Sequence, residues 1–264
     1  MSRPETPSDP PRRFLILPEG RVSYTDVGRG RCFLALHGMP GSVRDFRWLG
    51  ARLEADARLL RFDLPGFGET PIATDRAVAL EDRAAFVIRA MTALELTDVC
   101  LIGHSLGGAL ALAVAALAPQ RVVALGLIAS IGLTPHRGYR QLGPGSRLAG
   151  RLLGTPVVGR LILPVARPMF RRAGFRGFSD EALRQTMRCV LAVDFATHRR
   201  FAADVRVPTL LAWSQDDPMI EPAIPEALGS ALPDGPRLDL PSGRHLPQKD
   251  HADAIADALL AFGV

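Results

Sequence analysis

The amino-acid sequence predicts an α/β fold in which a mostly parallel sheet of eight strands is covered on both faces by helices. Three observations carry that expectation. Continuous apolar runs, each short and most of them closed by a glycine or serine, recur along the chain: RCFLALHG, DVCLIGHS, RVVALGLIAS and VPTLLAWS. Helix-forming stretches with apolar positions at helical spacing alternate with them, above all AVALEDRAAFVIRAMTALEL and LGGALALAVAALAP. Strands buried on both faces read as unbroken apolar runs, as in a parallel sheet between helical layers. A length of 264 residues suits one such domain with room for an insertion.

The elements follow in order. Residues 1–13, MSRPETPSDPPRR, are Pro-rich and polar and are expected to form a disordered tail. FLILPEGRVSYTDVG predicts two short antiparallel strands joined through Pro18-Glu19-Gly20. The strand RCFLALHG is followed by a helical stretch near Arg44–Ala57, then by the strand RLLRFDLPG. DVCLIGHS and the Ala/Leu-rich helix stopped by Pro119 come next, and RVVALGLIAS is the sixth strand. After VPTLLAWS and the short PRLDLPSG, the helix HADAIADALLAF closes the chain, with Asp250 as its N-cap and His251 in its first turn. The rhythm breaks over 132–203, which holds 13 arginines and only the acids Asp180, Glu181 and Asp194. Pro156, Pro164 and Pro168 are expected to interrupt any long helix there. This segment is expected to be a helical cap inserted after strand 6 of a core made of 14–131 and 204–264.

Composition excludes several classes of function. With 47% hydrophobic and 22% charged residues the chain has ample material for a core. The net charge of +5 rests almost wholly on arginine, since Lys249 is the sole lysine. No basic face interleaved with aromatics and no nucleic-acid module is present, so no nucleic-acid partner is expected. Cys32, Cys100 and Cys189 are odd in number and widely spaced, and no Cys/His ligand cluster suggests a metal. The N-terminus lacks a hydrophobic signal segment, and no apolar run reaches membrane-spanning length. A soluble, cytoplasmic protein without cofactor is expected.

The chemistry sits at strand ends. GHSLG, Gly103 to Gly107, fits Gly-x-Ser-x-Gly and falls between a predicted strand and a predicted helix. A serine on so tight a turn is lifted above the sheet, and the helix N-terminus behind it favours negative charge beside the nucleophile. A phosphate-cradling loop would need Gly-x-Gly-x-x-Gly or Gly-Lys-Ser/Thr, and neither is present. Ser105 needs a base to take its proton. Of six histidines, His37 and His104 lie in glycine-rich turns suited to backbone or packing roles, and His136 and His198 fall in the insertion. His245, in the loop LPSGRHLPQKD after the last strand, reaches the same sheet edge as Ser105. The N–H groups of Leu106 and Met39 are candidate oxyanion donors. Taken alone, LHGMPGS equally suits a plain tight strand-to-helix connection. Likewise LAWSQDDPMI offers two acids, Asp216 and Asp217, between which nothing local decides.

The motifs His37-Gly38-Met39-Pro40-Gly41-Ser42, Asp63-Leu64-Pro65-Gly66-Phe67-Gly68 and Gly103-His104-Ser105-Leu106-Gly107-Gly108, with the late aspartate and histidine loops, resemble those of the α/β-hydrolase family over nearly the whole chain after the tail. The resemblance implies the chain order nucleophile, acid, histidine, here Ser105, Asp217 and His245. The family's acid loop usually reads Gly-x-x-Asp; Ser214 stands in place of that glycine, and the spacing then selects Asp217 over Asp216. Arg244 stands between Gly243 and the histidine, where the family often has glycine directly before it. Dehalogenases and epoxide hydrolases of the family use an aspartate nucleophile, so Ser105 argues against both. Prolyl aminopeptidases typically carry His-Gly-Gly-Pro-Gly, against which Met39 counts.

The expected activity is that of a serine hydrolase cleaving an ester, thioester or similar activated carbonyl of a small molecule through an acyl-enzyme. The alternatives are hydrolysis of a carbon–carbon bond in a diketone, or acyl transfer or lyase chemistry without hydrolysis. The insertion's arginines admit three readings: attraction of an anionic substrate such as a carboxylate or coenzyme A thioester, contact with a membrane or lipid surface, or a solvated surface in an arginine-rich proteome. The last is preferred.

Overall fold

A computed structural model of the chain describes residues 6–72, 78–172 and 177–262. Eight strands form one sheet: β1 (Arg13–Leu17), β2 (Gly20–Val27), β3 (Cys32–Leu36), β4 (Arg58–Phe62), β5 (Val99–His104), β6 (Val122–Ile128), β7 (Thr209–Ser214) and β8 (Arg237–Leu240). Their order across the sheet is β1-β2-β4-β3-β5-β6-β7-β8. β2 pairs antiparallel with β1 and β4, and every other pair is parallel. The chain steps from β3 to β4 on one side and returns to β5 on the other. The carboxyl ends of β3 and β5 therefore flank a switch point, where a crevice opens above the sheet.

Period-two alternation explains why the strands read as unbroken apolar runs. Phe33 and Ala35 of β3 join one core with Cys100 and Ile102 of β5, while Leu34 and Leu36 join the other with Leu101. The first core is closed by Leu49 and Leu53 of α1 (Arg47–Leu53) and by Ile255 and Leu259 of α11 (Ala252–Ala261). The second is closed by Val87 and Met91 of α2 (Leu80–Ala93) and by Leu110 and Val114 of α3 (Leu106–Leu117). Ten of the twelve residues of α3 are buried, so small alanines and glycines let it lie close against the sheet. Its run ends before Pro119, which has no N–H to continue the ladder.

Among the described residues five helices stand between β6 and β7: α4 (Arg137–Arg140), α5 (Pro144–Gly154), α6 (Pro156–Arg172), α7 (Asp180–Leu191) and α8 (Phe195–Asp204). The last two are capped by side chains, Ser179 accepting from the N–H of Ala182 and Asp194 from those of Ala196 and Thr197. α9 (Ala223–Ala231) and α10 (Pro247–Asp250) complete the helices.

Four local expectations need correction. α6 runs straight through Pro164 and Pro168; both are exposed, on the side where a helix can bend and water can take up the freed carbonyls. The helix expected over Arg44–Ala57 is instead a 3-10 turn, Val43–Phe46, followed by α1. Pro247 starts a separate short helix, so Asp250 ends α10 and His251 becomes the N-cap residue of α11 without a side-chain cap bond. The expected tail is anchored before residue 13: Arg12 donates to Asp63 Oδ2 at 2.5 Å and to Ser23 Oγ at 3.2 Å, and Asp9 pairs with Arg44 at 3.2 Å. Residues 1–5 of the tail lie outside the described residues.

Asp63 is the hub behind that anchoring. Fully buried at the end of β4, it also accepts the N–H groups of Val43 and Glu69, at 2.9 and 3.0 Å. It thereby ties the loop after β3, which carries Met39, to the loop after β4. Replacing Asp63 with alanine strands the buried N–H of Val43, the half-buried N–H of Glu69 and one guanidinium contact, each worth roughly 1–2 kcal/mol. Asp63→Ala is expected to lower the unfolding free energy by about 3 kcal/mol in urea titrations at unchanged m-value.

Candidate active site

β5 ends at His104, and the chain must turn into α3 within one residue. Ser105 makes that turn at φ 55° and ψ −121°, a conformation a non-glycine residue adopts only when its surroundings hold it there. They do so through both of its backbone groups: its N–H donates to Ile128 O at 3.0 Å, and its carbonyl accepts from Gly108 N at 2.9 Å. The glycines are steric necessities. A Cβ on Gly103 would lie 2.4 Å from Gly107 O, and one on Gly107 would lie 2.2 Å from Leu36 O.

The acid loop leaves β7 at Ser214, which has extended backbone as the strand's last residue and so has no need of glycine's freedom. Asp217 is buried three residues beyond, 2% exposed. Its Oδ1 accepts from the N–H groups of Met219 and Ile220 at 2.7 and 3.0 Å, leaving Oδ2 for His245 Nδ1 at 2.8 Å. The histidine's Nδ1 thus carries the proton, and the Nε2 lone pair faces Ser105 Oγ at 3.0 Å. Three residues from three loops, 140 positions apart at the extremes, form one hydrogen-bonded series.

Asp216 is not the bystander that the choice of Asp217 suggests. Its Oδ1 accepts from Arg244 N at 2.7 Å, and Arg244 sits at φ 51° directly before His245. The exposed acid therefore fastens the histidine loop to the acid loop and supports a left-handed residue between Gly243 and the imidazole. His104 holds the same loop from below. Its Nε2–H donates to the carbonyl of His245 at 2.7 Å, with the two rings 5.0 Å apart. Neither role has a signal in the chain, because both partners are backbone atoms of a distant segment.

Of the remaining histidines, His251 faces Ser242 Oγ at 3.3 Å, and the other three serve the backbone. His37 Nε2 accepts from Leu64 N at 3.0 Å while Nδ1–H donates to Gly38 O at 2.6 Å. His136 and His198 bond the carbonyls of Met219 and Gly132. Burial keeps His37 and His104 neutral by lowering their pKa values from 6.5 to about 4 and about 3.

Ser105 and His245 open onto a cavity of about 180 Å³. Met39 and Leu106 line it beside the serine, and Ile131, Tyr139, Met187 and Val190 make much of its apolar wall. Among the described residues, none of the insertion's arginines lines this cavity. On the outer side of His245 a wider cleft of about 650 Å³ is lined by Arg244, Leu246 and Lys249. Among the described residues no group of three or more His, Cys, Asp or Glu is placed to hold a metal ion, and no helix is long and apolar enough to cross a membrane.

The comparisons with known proteins agree with this architecture. The alpha/beta hydrolase family matches residues 33–258. The chain is 31% identical over 240 residues to the dihydrolipoyllysine-residue acetyltransferase component of the acetoin cleaving system of Pseudomonas putida, covering 88% of this chain but only 63% of that protein. It is 24% identical to Lipase 1 of Psychrobacter immobilis, over 97% of this chain and 84% of the lipase. It is 25% identical to a haloalkane dehalogenase of Mesorhizobium japonicum, over 96% and 91%. Among solved structures, an alpha/beta hydrolase fold protein from Burkholderia ambifaria matches with a TM-score of 0.76 at 19% identity, covering 94% of this chain and 97% of that one. The chain belongs to the alpha/beta hydrolase family.

The two buried neutral histidines set a pH prediction. The unfolded chain takes up protons near pH 6.5 that the folded rings refuse until about pH 4 and about pH 3. Stability is therefore full above the unfolded value and is lost as pH falls below it. Melting temperature followed from about pH 7 to about pH 5 should fall, and less steeply in His37→Gln than in the parent.

Proposed function

We propose that this protein is a serine hydrolase that cleaves esters or thioesters carrying a small apolar acyl group. The observation that carries the reading is the series Asp217–His245–Ser105, opening onto an apolar cavity of about 180 Å³. In this mechanism His245 Nε2 takes the Ser105 proton as Oγ attacks the acyl carbonyl, and Asp217 steadies the imidazolium that forms. The N–H groups of Met39 and Leu106 receive the oxyanion of the tetrahedral intermediate. His245 then protonates the leaving group, which departs through the outer cleft, and a water activated by the same imidazole hydrolyses the acyl-enzyme. The largely apolar wall, on which no arginine or lysine stands among the described residues, favours a neutral acyl chain over an anionic one.

The dehalogenase relative does not set the chemistry, because Ser105 stands where an aspartate nucleophile would be required. Acyl transfer is the second reading, favoured by the name of the relative that is 31% identical. The two readings part at the second half-reaction: hydrolysis releases free acid, whereas transfer leaves the acyl group on an added thiol or alcohol.

A fluorophosphonate probe should label the wild type and not Ser105→Ala; absence of labelling in the wild type would remove the basis of the proposal. Against short-chain p-nitrophenyl esters, Asp217→Asn should lower kcat by about 10⁴-fold, by favouring the wrong imidazole tautomer. Asp216→Asn keeps an acceptor for Arg244 N and should be near-silent, while Asp216→Ala should cost roughly tenfold by freeing the histidine loop. Equal losses in Asp216→Asn and Asp217→Asn would show that the acid has been misassigned.

A further inference from the structure

The outward face of the helical insertion is the feature that neither the core nor the site accounts for. α6 has two apolar sides. Leu163, with Ile162 and Ala166 beside it, packs inward with Leu153 of α5 and Leu183 of α7. Val157, Leu161 and Val165 recur every four residues along another side and are 71%, 74% and 82% exposed. The exposed Pro164 and Pro168 fall on the same side by helical spacing. Leu148 and Leu152 of α5, one turn apart, add exposures of 60% and 40%.

Charge surrounds this apolar ground. The stretch 144–172 contains six arginines and no acid. Arg147 and Arg151 neighbour the exposed leucines of α5, and Arg160 and Arg171 edge the valine stripe of α6; all four are exposed. An arginine-rich proteome would explain the arginines, but not the valines and leucines turned to water beside them. A helix that merely covers a core carries polar residues on its outer side. Arginine is the only charged or polar residue type in α6.

We infer that the outer face of α5 and α6 docks on an anionic lipid surface. Apolar side chains at the centre, arginines at the edge and too little length to span a bilayer together describe a helix pair that lies in the interface plane. The valines and leucines enter the acyl boundary while the guanidiniums meet phosphate headgroups, whose negative potential matches the positive charge of a stretch that has no acid of its own. This inference does not depend on the reaction proposed above.

Co-sedimentation with vesicles tests it on the full chain. Vesicles of phosphatidylglycerol and phosphatidylcholine in equal parts should retain the protein about tenfold or more better than phosphatidylcholine alone, with the difference shrinking as salt rises. The exposed double variant Leu161→Asp/Val165→Asp should lose binding while its circular dichroism stays that of the parent. Arg160→Gln/Arg171→Gln should narrow the preference for the anionic vesicles. Wild type that stays in the supernatant with both vesicles overturns the inference, as does equal binding to both. A concentration-dependent dimer that Leu161→Asp/Val165→Asp dissolves, without vesicle binding, would assign the face to a second copy of the chain and overturn it as well.

Discussion

Ser105 has to be held at a positive φ, and the architecture around the crevice is arranged so that this one unfavourable turn persists. Such a conformation costs on the order of 1–3 kcal/mol and survives only where neighbours over-determine it. Here β5 delivers the residue from the middle of the sheet, Ile128 and Gly108 bond its backbone groups, and α3 leaves the turn as a nearly fully buried helix. The absence of side chains at Gly103 and Gly107 lets the strand and helix approach to distances a Cβ would forbid. The strain cannot relax without pulling α3 off the core that it closes.

The imidazole is positioned by a different device. Its loop after β8 contains no regular structure, yet it is fastened at three points: Asp217 holds Nδ1, His104 holds the carbonyl, and Asp216 holds the N–H of the preceding residue. Two of these contacts meet backbone atoms, so they set where the loop runs, while Asp217 sets how the ring is turned. Neighbouring acids thus divide the work by burial. Asp217 lies inside and takes the imidazole, and exposed Asp216 takes the loop.

Charge and apolarity are sorted in opposite directions within the insertion. The side that lines the cavity contributes Tyr139, Met187 and Val190 but, among the described residues, no arginine. Arg147, Arg151, Arg160 and Arg171 are not on that wall and stand beside the exposed valines and leucines of α5 and α6. A reading in which this charge draws an anion into the site finds no guanidinium on the cavity wall among the described residues. The same charge, read with the apolar stripe beside it, points outward.

Much of this was legible in the chain. Unbroken apolar runs announce strands buried on both faces, because each residue's burial follows from its own side chain and the period of the backbone. Gly-x-Ser-x-Gly between a strand and a helix announces the turn at Ser105, since only that local geometry needs those glycines. The resemblance in chain order then separates Asp217 from Asp216. What the chain could not disclose are relations between segments far apart: Asp216 with Arg244, His104 with the carbonyl of His245, Asp63 with Arg12. Each joins a side chain to a partner dozens to more than a hundred residues away. Pro164 and Pro168 read locally as helix breakers and became helix, because exposure of that face decides whether a missing hydrogen bond matters. Local pattern determines what a residue can be, through its shape and its affinity for water. Only the packed fold decides which atom it meets.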